Sequence, residues 1–471
     1  MSEDPQEVKP QDTEVKVIQI QPRTPTGRVV STGYIPIPLD SLNQEQRRAF
    51  AAVEAGKSIF ITGPGGTGKS YLIQALYTLI PERTNKHVAV TAMTGCASLL
   101  LGRYAKTLHS WSGIGLGRGT AIQLATAIRR SGRSFRRWLA TDILVIDEVS
   151  MLTSELLEKL DEVAKIVRRD TRPFGGMQIV FVGDFYQLPP VVKSDEQGKR
   201  EIPFVFESPV WKQIVSEIIS LTQIHRQADP IFQKILNEAR VAKLSEESLS
   251  ILKTRQGLPW QDELIKPTLL FTRRVEVDMV NDKNLRALQG ERKIFNAETV
   301  FAPLESLRGC SNDTPEVKRA IEKLDKDAPY MVELVLTVGA QVMLLVNKDP
   351  AAGLVNGSRG VVMGFDSMGS PLVQFRHGLP IPILPSTWES EDLEGVSRKQ
   401  YPLRLAYAIT IHKSQGATLD SALIDIGTNT FEYGQAYVAL SRVKSLDSLY
   451  IWDVEPAAFK AHPKVKEFYG E

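Results

Sequence analysis

The chain has 471 residues, of which 42% are hydrophobic and 24% are charged. A chain of this length and composition buries large cores, which excludes a disulfide-stapled miniprotein and a disordered protein and predicts two or more domains. Because 57 basic residues nearly balance 55 acidic ones, the total charge indicates neither a nucleic acid nor a membrane as the partner.

The first segment, residues 1–38, predicts a flexible Pro-rich tail, since it contains six of the 27 prolines and little apolar periodicity. Its start is acidic, unlike a signal or transit peptide, and no apolar stretch of the chain has membrane-spanning length. The two cysteines, Cys96 and Cys310, favour a reducing compartment. We expect a cytoplasmic protein of prokaryotic or viral type without a membrane partner, and leave a nuclear location open.

From residue 39 onward, helical stretches alternate with short β-branched runs, which predicts parallel sheets covered by helices. The first group comprises a helix over 43–56 and strands over 58–63, 87–92, 142–148 and 177–184. The same alternation returns in strands over 267–273, 403–410, 421–427 and 448–454. We therefore predict two α/β domains, the first over 39–200 and the second over 201–334 and 399–471.

The interval 335–398 has a different pattern. It contains short alternating strands separated by glycine and proline, among them the Asn356-Gly357 turn, and almost no helical periodicity. This pattern predicts a small β-barrel inserted into the second α/β domain.

The run GPGGTGKS at 63–70 follows a predicted strand and precedes a predicted helix, as a P-loop requires. Its backbone N–H groups would surround the phosphates of ATP, Lys69 would reach the β- and γ-phosphates, and Ser70 would bind Mg²⁺. The residues predicted to bind the nucleotide here are Gly63, Gly65, Gly66, Thr67, Gly68, Lys69 and Ser70. A dinucleotide loop is the weaker alternative, because it gives Lys69 and Ser70 no role and offers only Glu82, in a predicted loop, as its acidic residue.

Polar side chains follow two further predicted strands. The run 143–146 precedes Asp147 and Glu148, and the run 179–182 precedes Gln187 by a short turn. Because open parallel sheets bind ligands at the carboxyl ends of their strands, we expect Asp147 to hold Mg²⁺ and Glu148 to take a proton from the attacking water. Gln187 would contact the γ-phosphate. Without the P-loop, the carboxylates would as often be helix caps, and Gln187 would be a solvated turn residue.

One stretch is strongly basic, since residues 83–141 contain ten lysines and arginines and no acidic residue. This depletion predicts a local positive surface suited to nucleic-acid phosphates. Five of these residues crowd one segment, with a solvated face as the alternative interpretation: Arg129, Arg130, Arg133, Arg136 and Arg137. His109 and Trp111 are predicted to place a ring against a base, although Trp111 is equally compatible with a core position.

Nine segments, in order, resemble superfamily 1B DNA helicases and, among these, the Pif family. They are LNQEQ (42–46), GPGGTGKS (63–70), VTAMTGCAS (90–98), TLHSWSGIG (107–115), VIDEVSM (145–151), GDFYQLPPV (183–191), HRQ (225–227), AITIHKSQGATLD (408–420) and AYVALSR (436–442). The stretch 156–180 also resembles the one that distinguishes Pif helicases from RecD-like and Dda-like enzymes. The resemblance covers about residues 40–455.

The resemblance implies an α/β fold with two RecA-like P-loop NTPase domains, a basic 1B wedge near 112–138 and a small SH3-like β-barrel insertion, the 2B domain, at 335–398. It implies that Gln46 recognises adenine and that Arg226 and Arg442 are arginine fingers, which reach the γ-phosphate from the second domain. The residues implied to lie along the DNA backbone are Thr94, His109, His412 and Lys413.

The activity implied by the resemblance is that of an ATP-dependent 5′-to-3′ helicase, which moves on single-stranded DNA and unwinds forked duplex DNA in replication, repair or recombination. It would act as a monomer or a weak DNA-induced dimer. A DNA-stimulated translocase that remodels protein–DNA complexes without unwinding is the alternative. A small-molecule kinase or a nicotinamide oxidoreductase would leave the basic stretch and both arginine motifs unexplained.

Overall fold

The computed structural model describes residues 37–471 apart from 103, 116, 191–201, 261–263, 350, 351, 353, 377, 391 and 392. Nearly all of the predicted tail at 1–38 lies outside the described residues. The helices of the described part are α1 (Gln44–Glu54), α2 (Lys69–Thr84), α3 (Gly95–Leu101), α4 (Leu108–Ser112), α5 (Ala121–Arg130), α6 (Gly132–Ala140), α7 (Ser154–Arg168), α8 (Pro209–Ile214), α9 (Pro230–Arg240), α10 (Glu246–Lys253), α11 (Arg274–Ala287), α12 (Pro315–Asp327), α13 (Ile411–Ser414), α14 (Gln435–Leu440) and α15 (Pro463–Tyr469). None of these helices is both long enough and apolar enough to cross a bilayer.

The strands of the same residues fall into two parallel and three antiparallel sheets. They are β1 (Ile59–Thr62), β2 (Val88–Ala92), β3 (Ala105–Thr107), β4 (Ile143–Asp147), β5 (Gln178–Gly183), β6 (Glu217–Ser220), β7 (Thr268–Phe271), β8 (Arg292–Asn296), β9 (Glu298–Phe301), β10 (Glu333–Thr337), β11 (Gln341–Leu344), β12 (Arg359–Phe365), β13 (Pro371–Phe375), β14 (Ile381–Pro382), β15 (Ser386–Glu389), β16 (Val396–Gln400), β17 (Leu403–Leu405), β18 (Ala408–Thr410), β19 (Ala422–Ile426) and β20 (Leu449–Val454).

The first parallel sheet has the strand order β3-β2-β4-β5-β1-β6, and we call the domain built on it the first domain. Strands β1, β2, β4 and β5 are buried along their whole length, which explains why their sequences are nearly continuous apolar runs. Thr62 lies opposite Gly183, and Ile146 lies opposite Phe181. This register brings the carboxyl ends of β1, β4 and β5 to one edge of the sheet.

The second parallel sheet has the order β18-β7-β19-β20, and we call the domain built on it the second domain. Its core includes Leu270, Ile409 and Ile424 and receives apolar side chains from α9, α10 and α14. Two parallel sheets with helices packed against them confirm the predicted α/β fold class.

The antiparallel sheets lie between the two parts of the second domain in sequence. The largest has the order β14-β13-β12-β11-β17, and the others pair β15-β16-β9 and β10-β8. Strands β8 and β9 precede the predicted insertion at 335–398 and β17 follows it, yet all three pair with strands that lie at least partly inside it. The predicted strand 403–410 is accordingly divided, with β17 in an antiparallel sheet and β18 in the second parallel sheet.

Two other segments bear on the predicted domain plan. Strand β6 pairs with β1, so the first sheet includes residues beyond the predicted boundary at 200. The predicted wedge near 112–138 folds largely as α5 and α6, whose apolar faces pack in the core of the first domain. Composition does not predict the pairing of β6 with β1 or the packing of α5 and α6 in this core, because both contacts join residues that are distant in sequence.

Trp138, on α6, is expected to be a major contributor to the stability of the first domain. Its ring is buried against Trp111, and its indole N–H donates to the carbonyl oxygen of Ser112 at 2.8 Å. Trp138→Ala should lower the free energy of unfolding, measured by urea denaturation, by about 3 to 5 kcal/mol. Trp452, which is 73% exposed, gives the matched control. Trp452→Ala should change the free energy of unfolding by less than about 0.5 kcal/mol. Equal losses in the two variants would contradict the core role of Trp138.

Candidate nucleotide-binding site

The segment 63–68 forms a tight loop between β1 and α2. Gly66 and Gly68 have φ values of 89° and 82°, in the left-handed region that favours glycine. A Cβ atom on Gly66 would lie 2.7 Å from Cβ of Arg226, and one on Gly68 would lie 2.6 Å from Nε2 of Gln46. The backbone conformation therefore favours glycine at both positions, and at Gly66 the nearby Cβ of Arg226 also leaves no room for a side chain.

Lys69, the first residue of α2, is held by the loop that precedes it. Its Nζ donates to the carbonyl oxygens of Gly63 and Pro64 at 2.7 and 2.9 Å. Burial lowers the pKa of Lys69, while the carboxylates at the strand ends, Asp184 foremost, oppose this effect. The ammonium group thus lies among the ends of β1, β4 and β5. Phosphate oxygens can replace the two carbonyl oxygens as its hydrogen-bond acceptors.

The hydroxyl groups of the loop differ in their surroundings. Thr67 is buried, and its hydroxyl donates to the carbonyl oxygen of Pro64 at 2.9 Å, which stabilises the loop itself. Ser70 is exposed in the first turn of α2. The Ser70 hydroxyl and the Asp147 carboxylate are oxygen donors of the kind that Mg²⁺ prefers.

The two predicted catalytic carboxylates lie at the end of β4. Asp147 is buried, and burial together with the charge of Glu148 raises its pKa to about 7. Glu148 has a φ of 54°, a left-handed conformation uncommon for a residue other than glycine. Such local strain occurs preferentially at functional sites.

A glutamine that the sequence analysis did not single out joins these groups. Nε2 of Gln415 donates to Oε2 of Glu148 at 2.9 Å and to Oε1 of Gln187 at 3.3 Å. Gln415 directly follows α13 of the second domain, so its amide connects the two domains at the predicted general base. In the sequence, Gln415 lies in HKSQG (412–416), but its spacing from the other polar residues does not indicate a catalytic role.

Gln46 lies beside the loop, as expected of a residue near the nucleotide. Its Oε1 accepts from the backbone N–H of Asn43 at 3.0 Å in a capping box at the start of α1, and its Nε2 donates to the Gly68 carbonyl oxygen at 3.4 Å.

Glu82 lies inside α2, so its predicted place in a loop is wrong. The alternative of a dinucleotide loop thereby loses its acidic residue.

Arg442 is only 1% exposed, at the interface between the domains. Its guanidinium donates to the carbonyl oxygens of Val438, Ser414 and Ala417 at 2.8 to 3.3 Å. Burial, followed by the positive charge of Arg226, lowers its pKa to about 9. Carbonyl groups satisfy its N–H donors but supply no full negative charge.

Arg226 was predicted to reach the nucleotide from the second domain, but it lies on the segment between β6 and α9. Its backbone N–H donates to the Gly66 carbonyl oxygen at 3.3 Å, and its side chain donates to the Ser441 carbonyl oxygen at 3.3 Å. Burial lowers its pKa, and Glu148 opposes the lowering in both arginines. The two guanidinium groups and the Glu148 carboxylate therefore belong to one cluster beside the P-loop.

The residues predicted to bind DNA occupy two places. In the first domain, Thr94 caps α3 by accepting from the Ala97 N–H at 3.1 Å, and His109 lies partly buried on α4. A cavity of about 180 Å³ lies next to them, between the first domain and the inserted region. Its lining includes Gly95, Ser98, Lys106, Ser110, Lys323 and Trp388.

In the second domain, His412 and Lys413 lie on α13. Burial lowers the pKa of both side chains, and the positive charges of Arg404 and Arg274 lower that of Lys413 further. This identifies Arg404 and Arg274 as basic neighbours of Lys413 that the sequence analysis did not single out. They come from β17 and α11, and only the fold brings them together.

Trp111 is not placed to stack on a base, contrary to its predicted role. It is 3% exposed, and its ring centroid lies 4.7 Å from that of Trp138. The ring has the core position that the sequence analysis left open, because α4 packs against α6 within the first domain.

The arginines of the basic segment are only partly available to a ligand. Arg137 donates to the carbonyl oxygens of Trp111 and Ser110 at 2.9 and 2.8 Å, and Arg133 forms an ion pair with Glu394 of the inserted region at 2.7 Å. Arg129 and Arg130 are exposed at the end of α5. The segment therefore combines structural contacts with an exposed positive face.

Two family models match the chain. One described as PIF1-like helicase matches residues 41–258, and one described as DNA helicase Pif1, 2B domain, matches residues 322–365. The human ATP-dependent DNA helicase PIF1 is 38% identical over 440 residues, which make up 93% of this chain and 64% of that protein. This chain thus spans less than two thirds of that relative.

Solved structures show the same similarity. The crystal structure of the Pif1 helicase from Candida albicans matches with a TM-score of 0.74 and 37% identity, over 91% of this chain and 99% of that one. The Pif1 helicase from Bacteroides in complex with ADP-AlF3 and single-stranded DNA matches with a TM-score of 0.62 and 28% identity, over 91% and 96% of the chains.

Lys69 and Glu148 should have separable effects on the nucleotide. Lys69→Ala is expected to lower ATP turnover by at least about 100-fold, because it removes the ammonium group that stabilises negative charge on the transferred phosphate. The affinity for DNA should remain largely intact. Glu148→Gln should bind ATP but not cleave it, because the amide does not accept the proton of water. Turnover assays and equilibrium binding of labelled ATP measure both properties. An equal loss of ATP binding in the two variants would contradict the separate roles.

Proposed function

Since the chain belongs to the Pif1-like helicase family, we propose that it is an ATP-dependent DNA helicase. It would move 5′ to 3′ on single-stranded DNA and unwind forked duplex DNA in replication, repair or recombination, as a monomer or a weak DNA-induced dimer. The observation that carries the proposal is the contact of Gln415, from the second domain, with Glu148, beside the P-loop of the first.

In this proposal, ATP binds at the interface of the two domains. The loop 63–70 would surround its phosphates, Gln46 would contact the adenine, and Ser70 and Asp147 would hold Mg²⁺, which would neutralise phosphate charge. Bound Mg²⁺ would favour the ionised carboxylate of Asp147 and so oppose the rise in its pKa that burial and Glu148 cause.

Hydrolysis requires a base, a positioned phosphate and compensation of developing charge. Glu148 takes the proton of the attacking water, and Gln187 contacts the γ-phosphate. Lys69, Arg226 and Arg442 stabilise the negative charge that develops on the transferred phosphoryl group. Gln415 orients both Glu148 and Gln187, since its amide already contacts the two side chains.

The same glutamine suggests how DNA and ATP are coupled. His412 and Lys413, on α13, grip the DNA backbone together with Thr94 and His109, and Gln415 follows α13 by one residue. A shift of α13 on DNA therefore moves the amide that orients Glu148. Because opening one base pair costs about 1.4 kcal/mol, the energetic demand on each hydrolysis step is modest and coupling is the main requirement.

We also propose revised domain limits. The first RecA-like domain continues through β6, which pairs with β1. The inserted 2B region includes the strands from β8 to β17, since these pair with one another, and its five-stranded sheet is the SH3-like part. The second RecA-like domain comprises the remaining strands, β7 and β18 to β20.

The proposal predicts an ATPase that single-stranded DNA stimulates steeply, and an unwinding activity with a directional preference. Duplexes with a 5′ or a 3′ overhang, compared side by side in a strand-displacement assay, should be unwound from the 5′ overhang only. ATP turnover indifferent to DNA would refute the proposal. Stimulated turnover with displacement of a bound protein but no unwinding would favour the remodelling translocase instead.

A further inference from the structure

The last helix, α15, passes from the second domain back to the first. Phe459, just before it, packs in the core of the second domain, whereas Val465 is buried in the core of the first. Phe468 extends this contact, since its ring lies 4.5 Å from that of Phe206 and 5.2 Å from that of Phe185. The helix is therefore anchored on the face of the first sheet beneath the P-loop strand.

Tyr469, the final residue of α15, touches both segments that flank the nucleotide. Its hydroxyl shares a hydrogen bond of 2.7 Å with Oγ1 of Thr62, the residue immediately before the P-loop. The same hydroxyl accepts from the backbone N–H of Phe185 at 3.3 Å, in the turn that leads to Gln187. Burial, followed by the charge of Asp184, raises the pKa of Tyr469, so the hydroxyl stays protonated.

The ring of Tyr469 also supports an ion pair between the domains. It stacks on Tyr186, with centroids 5.1 Å apart and planes at 12°, and the guanidinium of Arg240 lies 4.5 Å from the Tyr186 centroid and 5.4 Å from that of Tyr469. Arg240, at the end of α9, forms two hydrogen bonds of 2.9 Å with the fully buried Asp184. A bidentate pair flanked by aromatic faces holds one geometry.

A second tyrosine continues this network to the loop itself. Tyr437, on α14, accepts from the backbone N–H of Gly65 at 2.8 Å and donates to Asp184 at 3.4 Å. The P-loop is thus fixed at Thr62 by Tyr469 and at Gly65 by Tyr437, with the Asp184–Arg240 pair between the two tyrosines.

We propose that Tyr469 is a positioning residue for ATP hydrolysis, which sets the P-loop relative to the turn that carries Gln187. The inference rests on the proposed ATPase function and assigns α15 a role in it. Tyr469 itself does not touch the nucleotide. It acts through Thr62 and the Phe185 backbone, so its loss alters the rate of cleavage more than the binding of ATP.

The test is Tyr469→Phe in the full chain, which removes the hydroxyl and keeps the stacked ring. We expect kcat of the DNA-stimulated ATPase to fall about three- to tenfold, the range that one hydrogen bond supports, with little change in KM, melting temperature or affinity for single-stranded DNA. Tyr401→Phe is the matched control, because it removes a hydroxyl bond to Ser370 within the inserted region, and it should leave kcat unchanged.

A double-variant cycle with Thr62→Val sharpens the test. If the two hydroxyls act as a unit, Tyr469→Phe combined with Thr62→Val should be no slower than the slower single variant. Multiplied losses, an unchanged kcat in Tyr469→Phe, or a fall of kcat matched by a fall in melting temperature would each overturn the inference, with the proposed function left standing. A wild-type chain without DNA-stimulated ATPase activity would refute the proposed function and the inference together.

Discussion

Parallel pairing of β1 with β5 and of β5 with β4 is the constraint on which the site depends. It places Thr62, Asp147 and Gly183 at one edge of the sheet, at the ends of three strands that are buried along their whole length. The P-loop, Glu148 and Gln187 follow these strand ends, and Asp147 is the last residue of β4. The second domain adds side chains to the same edge, and Gln415 reaches the base at the end of β4.

The electrostatics of this edge favour a highly charged anion. Lys69, Arg226 and Arg442 gather there, and burial is the largest cause that lowers the pKa of each. Arg442 is surrounded by carbonyl oxygens, which satisfy its donors without neutralising it. The neighbouring carboxylates oppose this lowering only in part, so the negative charge of a triphosphate would stabilise the arrangement of both domains around it. ATP binding and domain closure are linked in this way.

Much of the α/β framework could be predicted because its signals are local. The strands 59–62, 143–147 and 178–183 are short apolar runs, and the P-loop is recognisable from spacing alone. The features that the sequence analysis missed or misplaced depend on contacts distant in sequence. Trp111 belongs to the core because of Trp138, and Arg226 lies on the connecting segment because β6 returns to the first sheet.

The most direct test of the central claim is a structure of the chain with single-stranded DNA and a transition-state mimic, ADP with aluminium fluoride. Our account predicts that the guanidinium of Arg442 leaves the carbonyl oxygens of Ser414 and Ala417, and that it and Arg226 each lie within about 3 Å of a fluoride, at hydrogen-bonding distance. It would be contradicted if Arg442 kept its carbonyl partners and Arg226 stayed on Ser441 with the mimic bound.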